Sequence, residues 1–216
     1  MKTQRTTVRR HPERGEYDRE TIHRIIDEAL ICHLAIVDDG QPFVMPVIHT
    51  RVNESLYFHG SRGSRLLQAM AAGAPACATM TIIDALVLAR SALHHSMNYR
   101  SVVVLGNGGA VEDESTKRLV WGALVDHVIP GRSRDCRLPS AQESAATMLV
   151  EMPIIEASAK IRTGGPKDDA EDLGLPHWAG VLPLSLIRGE PMRDEADVRD
   201  VAVPDYVTSY DRWRRA

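Results

Sequence analysis

The stretch Pro42–Leu67, PFVMPVIHTRVNESLYFHGSRGSRLL, decides how the rest of the chain is read. It parses as strand, turn, strand, and then a polar Gly/Ser/Arg loop opening a helix. Phe43 to Thr50 is rich in β-formers, and Pro46 within it points to an edge, a bulge or a ligand-facing interruption. Asn53 and Glu54 carry the turn. The return strand alternates, with Leu56 and Phe58 predicted inside and Tyr57 and His59 outside. Gly60-Ser61-Arg62-Gly63-Ser64-Arg65 then precedes the apolar Leu66, Leu67 and Met70.

Two hydroxyls and two guanidiniums at the opening of a helix suit a phosphate. Backbone N–H groups and the helix dipole face the anion there, and arginine adds forked, charge-assisted donors. The same residues also describe an exposed, N-capped helix with basic decoration, and composition does not separate the two.

The run MPVIHTRVNESLYFHGSRGSRLL resembles the flavin-binding core of the pyridoxamine-phosphate-oxidase-like FMN-binding split barrels, nearest the nitroimidazole-resistance (Nim-type) flavoprotein branch. The resemblance continues through NYRSVVVLGNGGAVED, VIPGRS and KIRTGGPKDDAEDLGLPHWAGVLPL, and spans roughly Tyr17 to Leu184. It implies a mainly β fold, a β-barrel with peripheral helices, and FMN as cofactor. It places Met45, Pro46, Val47, Ile48 and His49 along the flavin ring. His59 and Ser61 fall beside the ribityl chain and phosphate, and Arg62, Ser64 and Arg65 match the phosphate cluster. Tyr99, Arg100 and Ser101 match a strand start that approaches the flavin from the second subunit of a homodimer, with the cofactor at the interface. Trp178 matches a late aromatic at the cofactor edge, a position that plain barrel-end packing would also explain. For Arg100 the competing reading is a surface ion pair.

Composition bounds the alternatives. The 216 residues and 23.9 kDa suit one domain with a sizeable core, flanked by a basic tail over 1–16 and a charged tail over 188–216. A net charge of −3 and few aromatics give no reason to expect nucleic acid. Cys32, Cys77 and Cys136 are odd in number and form no C-x-x-C, which predicts reduced thiols in a cytoplasmic protein. No apolar run approaches the ~20 residues of a membrane helix. KTQRTTVRRHPER could imitate a transit peptide but lacks a secretory apolar segment; a solvated tail, or one ordered against a partner subunit, is expected.

In order, Asp18 caps a helix whose apolar face is Ile22, Ile25, Ile26, Ala29 and Leu30. Cys32–Val37 is a strand, and Asp38-Asp39-Gly40 a hairpin turn. A helix over Arg65–Ala72 ends at Gly73. Two strands are expected at Ala76–Ile83 and Ala85–Ala89, with Ala76, Cys77 and Ala78 small enough for a barrel interior. Tyr99–Leu105 is a strand ending in Gly106-Asn107-Gly108-Gly109. Val111 stands where a dinucleotide loop needs its third glycine, so that motif reads as a hairpin or bulge turn. Helices are expected at Asp113–Val128, with Leu119, Val120, Ala123, Leu124 and His127 on one side, and at Ser140–Leu149. A strand after Pro153 alternates Ile155, Ala157, Ala159 and Ile161 against Glu156, Ser158, Lys160 and Arg162. Thr163–Pro176 is a long loop of the functional or mobile kind, and Trp178–Leu184 closes the barrel.

The expected function is that of an oxidoreductase passing reducing equivalents from a nicotinamide donor through FMN to a small acceptor such as a nitro compound or quinone. Arg100 or His49 is the candidate donor to the flavin N1/C2 edge; no acid–base residue is dictated. Leu184–Ala216 lacks the basic set with which pyridoxine-phosphate oxidases hold substrate phosphate, since Arg212, Arg214 and Arg215 are spaced like a solvated tail. A non-catalytic flavin- or haem-binding module is the alternative, with His94, His95, His49, His59 and His177 as possible imidazole sources. No histidine spacing matches a metal motif.

Overall fold

Two left-handed turns set the register of the central strands. Asp39 (φ 48°) and Gly40 (φ 72°) form the two-residue connection between β2 and β3 below, the geometry whose twist matches a hairpin. Asn53 (φ 53°) turns the next one. In a computed structural model, which describes residues 1–196 and 199–212, the chain is mostly β. A short β1 (Gly15–Glu16) precedes α1 (Arg19–Glu28), β2 (Ile31–Asp38), β3 (Gln41–Val52) and β4 (Ser55–Ser61). Then come α2 (Arg65–Ala71), β5 (Pro75–Leu88), β6 (Ser96–Asn107), β7 (Gly109–Ala110) and α3 (Glu114–Val128). The chain continues through α4 (Ala141–Ala146), β8 (Thr147–Pro153), β9 (Glu156–Arg162), β10 (Gly180–Pro183) and α5 (Asp205–Thr208).

The strands run in the order β1-β9-β6-β5-β2-β3-β4-β8-β7, with β10 added on β5, and every pairing is antiparallel. The links β6–β7 and β8–β9 each join the two arms, so the sheet curls round one core. The amphipathic α1 fills that core: its Ile22, Ile25 and Ile26 are fully buried against Leu34, Phe58, Met80 and Val102. Asp18 caps it, accepting a hydrogen bond from the Thr21 N–H at 2.9 Å. On the outer face, α3 covers only one end of the sheet, burying Tyr57, Val111 and Leu149 under Val120 and Leu124.

Several expectations shift. Ala76–Ala89 holds one long strand, kept continuous by a bulge between Ile83 and Ala85, in place of two. The helix expected to reach Leu149 stops at Ala146, because Met148 and Leu149 pair with Gly60 and His59. Gly106–Gly109 turns the chain across to β8, since Gly109 and Ala110 pair with Glu151 and Val150. The alternation after Pro153 also fails: Ile155 is exposed, while Ser158 and Arg162 are buried. Tyr57 and Leu119 exchange roles, the first buried beneath α3 and the second exposed.

The N-terminal stretch is docked on this subunit. The Met1 carbonyl accepts from the Ala157 N–H (3.1 Å), and Thr3 and Arg5 bond the Glu156 carboxylate. Of the basic C-terminal residues, Arg212 donates to the His127 carbonyl; Arg214 and Arg215 lie outside the described residues. The loop after β9 is anchored too: Asp168 accepts from the backbone and guanidinium of Arg90 at 2.8 and 2.9 Å. Among the described residues no helix is long and apolar enough to cross a membrane.

Candidate functional site

The sheet opens where β3 changes partners. Residues 41–48 pair with β2, from Asp38↔Gln41 to Ile31↔Ile48, whereas β4 joins only at His49–Val52. His59, Gly60 and Ser61 pair with β8 but have no partner in β3. A wedge therefore separates the first two-thirds of β3 from the end of β4. Pro46 stands on that free edge, as its sequence position suggested. Residues of one parity along a strand direct their N–H groups to one side, and Pro42 and Pro46 cannot donate to β2. The even positions accordingly face the gap, leaving Val44 and Ile48 as its N–H donors. Met45 lies opposite the buried Leu34 yet is 44% exposed, because no β4 neighbour covers it.

Beyond the wedge, the loop from Gly60 to Arg65 is held mainly by its own hydroxyls. Ser61 Oγ accepts from the Gly63 N–H (3.1 Å), and Ser64 caps α2 through the Leu67 N–H (3.4 Å). The two guanidiniums point apart. Arg62 Nε donates to the Ala145 carbonyl at 2.6 Å, and its two terminal nitrogens make no hydrogen bond among the described residues. Arg65 pairs with Asp38 at 3.2 Å and stacks over Phe43, 4.0 Å from its centroid. Arg62, Ser64 and Arg65 thus do not converge on one point, since the hairpin carboxylate holds Arg65; Arg62 is the one turned to the β4 side.

The histidines of this region are enclosed. His49 is fully buried, its Nε2 3.0 Å from the Ile26 carbonyl, and its ring lies 4.6 Å from that of His127. Burial first, and then the neighbouring His127, push its pKa down to about 4. It faces α1 and α3, away from the exposed Pro46 and Ile48. His59 packs edge-on against Trp121 at 5.3 Å, and burial lowers its pKa too. The Nδ1 atoms of His49 and His59 and Nε2 of His127 are buried without hydrogen-bond partners among the described residues.

Tyr99, Arg100 and Ser101 divide between faces. Tyr99 and Ser101 lie opposite Ile83 and Thr81 on the outer surface, while Arg100 projects inward opposite Ile82. There its guanidinium bridges Glu28 and Asp84, with Nη2 2.7 Å from Glu28 Oε1 and 2.9 Å from Asp84 Oδ1. Those carboxylates hold Arg100 more firmly charged than an isolated arginine. The cluster forms one wall of a groove of about 630 Å³, otherwise lined mainly by apolar groups including Leu30, Ile31, Ile83, Leu184 and Leu186, with Thr81 and Ser185 among them. Trp178 is 70% exposed and folds over Gly180, where a Cβ would lie 2.8 Å from the ring. On the outer face of β2 and the first two-thirds of β3, Ile31, His33, Val37, Val44, Pro46 and Ile48 are exposed, and α3 lies over β3 only beyond them, where Thr50 donates to the Ala123 carbonyl. Glu28 and Asp84 are participants that periodicity could not single out: each sits on an ordinary helix or strand, and only the fold joins them to Arg100.

Residues 18–161 match the sequence profile of the pyridoxamine 5'-phosphate oxidase family. The chain is similar to the flavocytochrome Anf3 from Azotobacter vinelandii, at 36% identity over 99% of this chain and 98% of that one (TM-score 0.89). It is also similar to the FAD and heme binding protein from Mycobacterium smegmatis, at 34% identity over 90% and 96% of the two chains (TM-score 0.85). A candidate 5-nitroimidazole antibiotic resistance protein from Bacteroides thetaiotaomicron shares the fold, at 20% identity over 79% and 90% (TM-score 0.57). No curated protein sequence matches the chain. The wedge between β3 and β4, the plugged split barrel and these likenesses agree: the chain belongs to the pyridoxamine 5'-phosphate oxidase family.

Proposed function

We propose that this protein binds a flavin in the wedge between β3 and β4 and works as a redox protein, taking electrons from a nicotinamide donor and passing them to a small acceptor. The observation that carries the reading is the unpaired edge of β3. Val44 and Ile48 offer N–H groups, and they and Pro46 offer carbonyls, to a planar ring with a polar rim, while the exposed Met45 offers apolar surface beside it. Arg62 supplies free guanidinium nitrogens for the phosphate of the mononucleotide unit. A bound flavin would contribute hydride acceptance and electron release; the protein positions it and sheds water from it. Arg100, tied to Glu28 and Asp84, is not spare for the flavin rim.

A homodimer completes the reading. The uncovered outer row of Ile31, Val44, Pro46 and Ile48 is apolar surface of the kind that a second subunit covers. Tyr99 and Ser101, on that same outer side, are placed to meet the partner's cofactor. The three free cysteines fit a reducing, cytoplasmic setting.

A haem as second cofactor is favoured by one feature in addition to the two flavin-and-haem relatives: the apolar groove of about 630 Å³. None of its lining residues is a histidine, so an imidazole ligand would come from elsewhere, and His33 is exposed on the same outer row as Ile31. One spectrum tests both. The purified protein should show flavin bands and release the flavin on denaturation; a Soret band would add haem. A colourless protein that takes up no flavin on reconstitution refutes the proposal.

A further inference from the structure

Arg162 ends β9 with its side chain inside the protein and no carboxylate bonded to it. The residue is 6% exposed, and each group it bonds is neutral: Asn98 Oδ1 and the carbonyls of Gly164 (3.3 Å) and Gly165 (3.1 Å). A cation at that depth normally faces an anion, because neutral acceptors replace only part of its lost hydration. Its Nε makes no hydrogen bond among the described residues, yet it is not one of the sealed, unpartnered atoms, so it reaches solvent.

A second guanidinium stands close by. The turn Pro12–Arg14 packs on β9, and Gly15 pairs with Lys160. The Arg14 side chain is only 20% exposed and donates no hydrogen bond among the described residues; its ion pair with Glu13 is loose, at 3.7 Å. Burial first, and then the charge of Arg14, lower the pKa of Arg162, so the two guanidiniums feel each other. Lys160 lies two residues before Arg162 on the same face of β9, opposite Ser101, while Tyr99 is opposite Arg162. Glu16 pairs with Ala159 and so points to the other face of β1. Three cations and two hydroxyls therefore gather at one corner of the outer sheet, against the loosely held Glu13. Forked donors that repel one another are held together best by an oxyanion between them.

We propose that Arg14 and Arg162, with Lys160 beside them, bind the phosphate of a small molecule at this corner. The site stands apart from the wedge. In the redox reading above, the phosphates at hand are those of the nicotinamide donor; that assignment rests on the reading and deepens it. Tyr99 and Ser101, which there meet the partner's cofactor, are the neighbours of this site, so a donor anchored here is brought toward a flavin across the dimer.

Calorimetric titration of the flavin-loaded full chain with inorganic pyrophosphate, at fixed ionic strength, tests the site, since flavin in the wedge keeps the probe from Arg62. The wild type should bind one pyrophosphate per subunit, and Arg14→Gln should weaken it by at least about 10-fold. Arg162→Gln should do the same; because Arg162 also holds the loop carbonyls, Arg14→Gln carries the test if that variant does not fold. NADP+, the oxidised form of a nicotinamide donor, should displace the pyrophosphate; failure to do so overturns the donor assignment and leaves a site for free phosphate. No binding of pyrophosphate, or equal binding by Arg14→Gln, overturns the proposal while leaving the flavin reading intact. A colourless chain that binds pyrophosphate in an Arg14-dependent way overturns the flavin reading and supports the site.

Discussion

Mild acid should destabilise this protein through His49. The imidazole is completely buried between α1 and α3, and its pKa is about 4 in the fold against 6.5 ordinarily. Below about pH 6.5 the unfolded chain takes up a proton that the native state refuses until about pH 4. The unfolded state therefore binds more protons across that window, and stability falls as pH falls through it. At ~1.4 kcal/mol per pH unit, the loss is about 2.5 kcal/mol at pH 4.5, which lowers the melting temperature by roughly 5–10 °C. His127 acts in the same direction, since burial and then Arg212 depress it. Asp27 opposes both shifts and is the weaker influence. The assay is urea unfolding at pH 7.5 and 4.5 for the wild type and His49→Gln, whose amide can still donate to the Ile26 carbonyl. The wild type should lose about 2 kcal/mol more than the variant over that interval. An equal loss in both proteins would refute the reasoning.

Three further outcomes follow from the packing. Arg100→Leu removes the guanidinium that bridges Glu28 and Asp84, whose side chains are about four-fifths or more buried, and should cost about 2–4 kcal/mol by thermal melting; adding Glu28→Gln and Asp84→Asn should recover at least half. Asp18→Ala removes the α1 cap and should cost about 1 kcal/mol in urea unfolding, with the fold retained by circular dichroism. Ile48→Glu puts a charge on the uncovered face and should convert a dimer to a folded monomer in sedimentation; an intact dimer would place the interface elsewhere.

The strands around the wedge were legible because hairpin turns and proline act locally: Asp39-Gly40 fixes one register, and Pro46 restricts its strand to an edge, a bulge or a ligand-facing interruption whatever the rest of the chain does. Asp18 and Ile22, Ile25 and Ile26 announce α1 equally well. Signals failed where distant segments decide. Met148 and Leu149 look helical until β4 offers a ladder, and Tyr57 looks outward until α3 lies over it. The site divides in the same way. Exposed strand positions such as Met45 and Ile48 go with the open edge, whereas the pairing of Arg65 with Asp38, twenty-seven positions earlier, carries no local sign in the sequence. Arg100 found two acidic partners from α1 and β5, which no spacing rule connects.

The unpaired run of β3 also bears on how the protein avoids itself. Phe43, Val44, Met45, Val47 and Ile48 would, without interruption, make a six-residue segment of high β-propensity and no charge on an open edge, the composition from which cross-β stacking grows. Pro46 breaks the segment in the middle and Pro42 guards its start, and both omit an N–H on the side where another chain would attach. The edge is thus sociable toward a small planar ligand, which needs only a donor or two, and closed to a strand, which needs a ladder.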